Sequence, residues 1–121
     1  ALNGLCAADS VMIPCDPSPL ALKGVEALVQ TITTVASRLN PDIDVMGVLL
    51  TRVDGRNRSL NESIVTDIDA RFGEALLPVH IGINSSLAKA QIEGRDIFAY
   101  DADSRGAQQY RALSDAVVPS L

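Results

Sequence analysis

Arg52, Arg56 and Arg58 fall within seven residues in the stretch GVLLTRVDGRNRS, Gly47 to Ser59, where an apolar run breaks off into a loop. Only Asp54 opposes them there, on a chain whose net charge is −5. Guanidinium groups gathered this closely suit an anion, because each presents a planar fork of donors to a phosphate or carboxylate. The plainer reading is a solvated turn, since short charge runs usually face water. The acidic total excludes attraction of the whole surface to nucleic acid or an anionic membrane, so any basic site has to be local.

Other chemistry is poorly represented. Cys6 and Cys15 are the only cysteines and His80 the only histidine, with no C-x-x-C and no His spacing of the kind zinc needs, so no metal site is expected and both thiols should be reduced and packed. His80 stands inside an apolar run and reads as structural, because a catalytic base needs a nucleophile within hydrogen-bond reach. DADSRG, Asp101 to Gly106, imitates the start of a calcium loop, but Arg105 and Ala112 occupy positions five and twelve, where ligands belong; a helix cap is the better reading. Asp67 and Asp69, two apart on a helix, point about 200° away from each other and form no carboxylate pair. There is no glycine-rich loop with Lys and Ser or Thr, no G-x-G-x-x-G and no G-x-S-x-G. No catalytic residue is assigned.

The elements that would carry these residues follow from periodicity. The 121 residues suit one domain, and 47% hydrophobic content with two Phe, two Tyr and no Trp implies an aliphatic core. SVMIPC, Ser10 to Cys15, reads as a buried strand closed by Asp16, Pro17 and Pro19. From Leu20 to Leu39, Leu22, Val25, Leu28, Val29, Ile32, Val35, Ala36 and Leu39 recur at helical spacing. VMGVLL, Val45 to Leu50, is too short for a helix and apolar on both faces, as strands inside parallel sheets are. Ser59 and Glu62 have capping-box spacing for a second helix to about Gly73, with Leu60, Ile64, Ile68 and Phe72 on its apolar face. ALLPVHIGI is a third strand in which Pro78 marks an irregularity or an edge. A short helix from Ser85 to Glu93 stops at Gly94, and a last helix from Asp103 or Ser104 carries Ala107, Tyr110, Leu113 and Val117. This alternation predicts an α/β fold, a three-layer parallel sheet with flanking helices. Ligands bind such sheets outside the carboxyl ends of the strands, so Thr51 and Arg52 should open on the same face as Ile81 to Asn84.

No run of about 18 apolar residues is present, so no membrane partner is expected and the cytoplasm is the expected location.

Three stretches together resemble the ParA branch of the ParA/MinD family of deviant-Walker ATPases. They are AADSVMIPCDPSPLALKGVEALVQTI, LNPDIDVMGVLLTRVDGRNRSLNESI and AKAQIEGRDIFAYDADSRGAQQYRAL. In that family a strand with Ile-Pro leads to an Ala-Leu-x-Gly helix, and near the end a Gly precedes a short strand and a Ser-x-x-Ala-x-x-Tyr-x-x-Leu helix. The resemblance implies that residues 1–121 form the C-terminal half of a P-loop NTPase fold, with the phosphate loop and second Asp-containing strand upstream. It implies ATP and Mg as cofactors of the complete protein, neither bound tightly by this chain alone, which should not hydrolyse ATP by itself. It also implies a homodimer that binds nonspecific DNA when ATP-bound, a ParB-like or cargo adaptor partner, nucleoid association, and a role in partitioning plasmids, chromosomes or protein cargo.

By the same resemblance Thr51, Arg52, Ile81, Gly82 and Asn84 border the nucleotide base. Arg56, Arg58, Lys89 and Arg95 are the candidate DNA contacts. IGINSSL, Ile81 to Leu87, departs from the Ile-Pro-Arg-Asn-x-Arg-Leu of chromosomal relatives and removes two arginines. Two other readings stand beside this one: a standalone non-enzymatic module pairing with a P-loop subunit or another protein, and an amidase or synthetase that uses ATP to activate a carboxylate.

Overall fold

The computed structural model describes residues 2–121, apart from the side chain of Ser120. Its elements are α1 (Leu2–Ala7), β1 (Ser10–Cys15), α2 (Pro19–Arg38), β2 (Asp44–Val53), α3 (Arg58–Phe72), β3 (Leu76–Gly82), α4 (Ser85–Ile92), α5 (Ile97–Tyr100) and α6 (Arg105–Val117). Single 3-10 turns at Gly73–Ala75 and Val118–Ser120 follow α3 and α6.

The strands form one parallel sheet in the order β1-β2-β3, with helices on both faces, the expected α/β layering. On one face Leu22, Val25, Ile32 and Val35 of α2 meet Ile64 and Ile68 of α3 over Ile13, Val48 and Leu50. On the other, Leu113 of α6 packs on Leu49 and Ile81, with Leu87 of α4 alongside. A third cluster, Ala90, Ile97 and Ala107, joins α4, α5 and α6. The core is aliphatic, as composition requires.

Caps explain where the helices start. Ser18 accepts a hydrogen bond from the Ala21 N–H at 3.2 Å and Pro19 occupies the first turn, where its missing N–H costs nothing. Ser104 caps α6 through the Ala107 N–H at 3.1 Å. Gly94, at φ 67, takes the left-handed position that ends α4 and that a residue with a Cβ enters only at a cost.

Several expectations need correction. The Ser59–Glu62 capping box is not used: α3 begins at Arg58 with Asn57 at the cap position, and Ser59 lies inside the first turn. Leu39, Leu60 and Tyr110 are exposed, the first two at the last and first turns of their helices. Residues Ile97–Tyr100 form one helical turn in place of a short strand, because Asp96 captures the Ala99 N–H at 2.8 Å and winds the chain there. Cys15 is buried but Cys6 is exposed on α1. His80 is exposed on the edge strand β3, where alternate side chains face water. Asp67 and Asp69 are both exposed, as their spacing required.

Among the described residues, β1 and β3 each leave one strand edge unpaired, and each carries a proline, Pro14 and Pro78. Proline removes a ladder donor, but it does not close an edge. One face of β1 is also bare, with Ser10, Met12 and Pro14 exposed in alternation. The isolated 121-residue chain is therefore expected to sediment as dimers or larger species; a clean monomer at micromolar concentration would show that these edges do not recruit a second copy.

Candidate functional site

The carboxyl ends of β2 and β3 build the site. β2 runs past its apolar stretch to Val53, because pairing with β3 continues there: Val53 stands opposite Gly82, and its carbonyl accepts the Ile83 N–H at 2.9 Å. Arg52, at φ 55, is the only non-glycine residue with positive φ among the described residues. This conformation disfavours any side chain with a Cβ by roughly 1–2 kcal/mol. It also breaks the strand's alternation, so that Leu50 and Val53 both join the α2/α3 core while Arg52 points to solvent. Backbone strain of this kind concentrates at functional sites.

Thr51, Arg52, Ile81, Gly82 and Asn84 all line one open cleft of about 480 Å³, completed by Ile83, Leu87, Ala88, Gln91 and Tyr110. Asn84 ends the loop after β3 and caps α4, its Oδ1 accepting the Ser86 N–H at 2.9 Å. Thr51 Oγ1 donates to Asp16 Oδ1 at 3.0 Å, linking the ends of β1 and β2. Gln109 reaches from α6 and accepts the Gly82 N–H through Oε1 at 2.8 Å, fixing the β3 end of the cleft. Ile81, Ile83, Leu87 and Ala88 give the cleft an aliphatic side, and Thr51, Arg52, Asn84, Gln91 and Tyr110 bring hydroxyl, guanidinium and amide groups to it. Its size and mixed lining suit a small organic ligand. The phosphates and magnesium of a bound nucleotide would find no matching donor set here: no lysine-bearing glycine loop occurs in the sequence, and no cluster of three metal-ligating side chains occurs among the described residues.

Arg56 and Arg58 stand elsewhere, on the loop between β2 and α3. Arg56 is 90% exposed, yet its backbone N–H and Nε hold Asp54 Oδ1 at 3.0 and 3.1 Å, and its Nη2 holds Oδ2 at 3.1 Å. These bonds to the charged form keep the Asp54 carboxyl below its usual range. Asn61 clamps the same loop by donating to the Asp54 carbonyl at 2.7 Å. Arg58 opens α3 and is exposed. Lys89 is exposed on α4; Arg95 donates to the Ala99 carbonyl at 2.6 Å and lies 6.0 Å from the Tyr100 ring centre. The arginine-rich stretch thus divides: Arg52 stands at the cleft, Arg56 is latched to Asp54, and Arg58 faces solvent.

Gln109, which holds the Gly82 amide, and Tyr110, which lines the cleft, carry no sequence signal for this site. Cys15, beside Asp16, is not a reactive thiol: burial and then the neighbouring carboxylate push its pKa up.

Parallel strands flanked by helices, with a cleft at their carboxyl ends, define an open α/β fold of the kind that binds ligands at its strand ends. A family described as an AAA domain matches residues 1–45. The chromosome partitioning protein ParA of Caulobacter vibrioides is 35% identical over 117 residues, 97% of this chain and 43% of that protein. The sporulation initiation inhibitor protein Soj of Bacillus subtilis is 35% identical over 116 residues, 96% of this chain and 46% of its own length. Among solved structures, cobyrinic acid a,c-diamide synthase of Mycobacterium smegmatis with bound ADP and magnesium superposes with a TM-score of 0.67 at 28% identity, covering 96% of this chain and 40% of that one. The chain is a ParA-like segment of the P-loop ATPase family. It spans less than half the length of these curated relatives. No helix among the described residues is long and apolar enough to cross a membrane.

Proposed function

We propose that this chain supplies the base and ribose side of an ATP site in a ParA-like partition ATPase. The observation that carries this is convergence: Thr51, Arg52, Ile81, Gly82 and Asn84, drawn from two segments about thirty residues apart, line one cleft. In this reading the chain's own residues orient the base and exclude water from it, while the ATP and magnesium supply the phosphoryl chemistry at a phosphate loop outside these 121 residues. ATP binding draws two copies into a dimer that binds DNA without sequence preference and answers to a ParB-like or cargo adaptor protein. The protein then works in the cytoplasm and on the nucleoid.

Arg58, Lys89 and Arg95 are the DNA contacts in this reading, with Arg56 secondary because Asp54 already holds it. The test uses the complete gene product and a random-sequence duplex. Binding should require ATP, fail with ADP and weaken steeply with salt. Replacing Arg56 and Arg58 together with Ala should flatten the logarithmic salt dependence by about one unit for each phosphate that the loop no longer neutralises. Unchanged affinity and slope at low salt would remove this loop from the DNA surface.

The structural likeness to a diamide synthase favours a second reading, an enzyme that uses ATP to activate a carboxylate. ATP consumption dependent on a carboxylate and an amide-nitrogen donor, with no effect of DNA, would select it.

A further inference from the structure

Resting on the reading that the loop between β2 and α3 meets DNA, we infer that Asp54 is a built-in competitor for the DNA phosphate. It fills the Arg56 fork and holds the loop's affinity below what its arginines could reach. Arg56 Nε donates to Asp54 Oδ1 at 3.1 Å and Nη2 to Oδ2 at 3.1 Å, the parallel pair of bonds that a guanidinium otherwise offers a phosphate. A third bond, from the Arg56 backbone N–H to Oδ1 at 3.0 Å, ties the same carboxylate to the loop.

The two partners are not equally free. Asp54 is also anchored by its main chain, its carbonyl accepting the Asn57 N–H at 3.1 Å and the Asn61 Nδ2 at 2.7 Å. Its side chain is 28% exposed, whereas that of Arg56 is 90% exposed. The carboxylate is therefore the fixed half of the pair and the guanidinium the half that swings. An ion pair this exposed is weak, so a phosphate can take its place, but only against a like charge that stays in the loop. The other edge of the guanidinium remains open to a ligand, yet the pair as a unit carries no net charge. Of the three arginines in this stretch, Arg52 stands at the cleft and Arg56 is paired with Asp54, which leaves Arg58 to draw a phosphate.

The experiment titrates a random-sequence duplex with the complete gene product in ATP, wild type against Asp54→Asn, across a salt series. Asparagine keeps the oxygen that accepts the Arg56 N–H, and the bonds from Asn57 and Asn61 go to the backbone carbonyl, so the loop keeps its shape while the fork is released. Affinity should rise about five- to tenfold near 0.1 M salt, and the logarithmic salt slope should steepen by about 0.9 for each loop that gains a phosphate. Glu62→Gln is the control. Glu62 is exposed four residues beyond Arg58 and forms no ion pair among the described residues, so its loss removes an equal charge without releasing an arginine, and the slope should stay where it was. Equal gains in the two variants would reveal a plain charge effect and overturn the inference. Unchanged or weaker binding by Asp54→Asn would overturn it too, making the carboxylate a support that aims Arg56 at DNA. Should Asp54→Asn fail to fold, Asp54→Ser decides by the same readout, since its hydroxyl also accepts the Arg56 N–H. If neither the wild type nor the variant binds the duplex in ATP, the DNA reading itself falls, and this inference with it.

Discussion

Ile68→Ala is expected to lower the unfolding free energy of this domain by about 2–5 kcal/mol. Ile68 is 0% exposed and stands on α3 where the helix meets the sheet, in the cluster that holds Val48, Leu50, Ile64, Val25 and Ile32. Removing three carbons there forfeits their transfer from water and leaves a void that neighbours on rigid strands cannot refill. Since domains are stable by only about 5–15 kcal/mol in all, the variant would retain little margin. Urea unfolding followed by circular dichroism measures it. The control is Ile92→Ala on α4, an equal deletion at a side chain 84% exposed, which should change stability by less than about 0.5 kcal/mol. Equal losses at the two positions would show that burial in this structure does not set the energetics.

The difference between those two isoleucines marks how far sequence reasoning reaches here. Ile68 was legible because it repeats with Ile64 at one helical turn, and α2 likewise because its stripe is long and capped by Ser18 and Pro19. Leu39 and Leu60 fit the same periodicities yet lie in water, because period alone does not say where the sheet ends. α1 carries no cap or stripe that could announce it; it is held instead by Asn40, whose Nδ2 donates to the carbonyls of Leu5 and Ala8 at 3.0 and 2.9 Å across more than thirty residues. The end of β2 hid for a related reason. Thr51 and Val53 are β-branched and suit a strand, but Arg52 between them sits at positive φ, and it is the pairing of Val53 with Gly82 and the Ile83 N–H that carries the strand past it.

The cleft divides in the same way. Thr51, Arg52, Ile81, Gly82 and Asn84 could be placed at strand ends from topology and resemblance, and the strand-end rule brings both segments to one side of the sheet. Asp16 closes β1, so the same rule brings it to this side of the sheet, but its bond to the Thr51 hydroxyl 35 positions away has no local signal. Gln109 is 27 positions from the Gly82 amide it accepts. Such bonds belong to the packed chain, and no local spacing encodes them.

Gly47→Val should destabilise the domain by roughly 3 kcal/mol and, unlike Ile68→Ala, should also deform the cleft. A Cβ at Gly47 would stand 2.7 Å from Leu77 Cδ2 and 2.8 Å from the Ala75 carbonyl oxygen. The leucine can turn aside, but the carbonyl is backbone at the entrance to β3 and can move only with the strand. Gly47 also follows a β-bulge: Val11 stands opposite Val45 and Met12 opposite Gly47, so Met46 is the extra residue on β2. A valine would push β2 away from the entrance to β3, which Gly47 approaches this closely. Because β3 is one strand from Leu76 to Gly82, although its register with β2 slips between Leu76 and His80 and again before Gly82, that displacement reaches the bond between the Ile83 N–H and the Val53 carbonyl, and with it the wall of the cleft. Amide hydrogen exchange separates the two effects. Ile68→Ala should speed exchange across the whole domain in proportion to its lost stability, whereas Gly47→Val should add a local excess at Leu77, Ile81 and Ile83. Uniform exchange in both variants would mean that the close approach at Gly47 serves packing alone and does not shape the cleft.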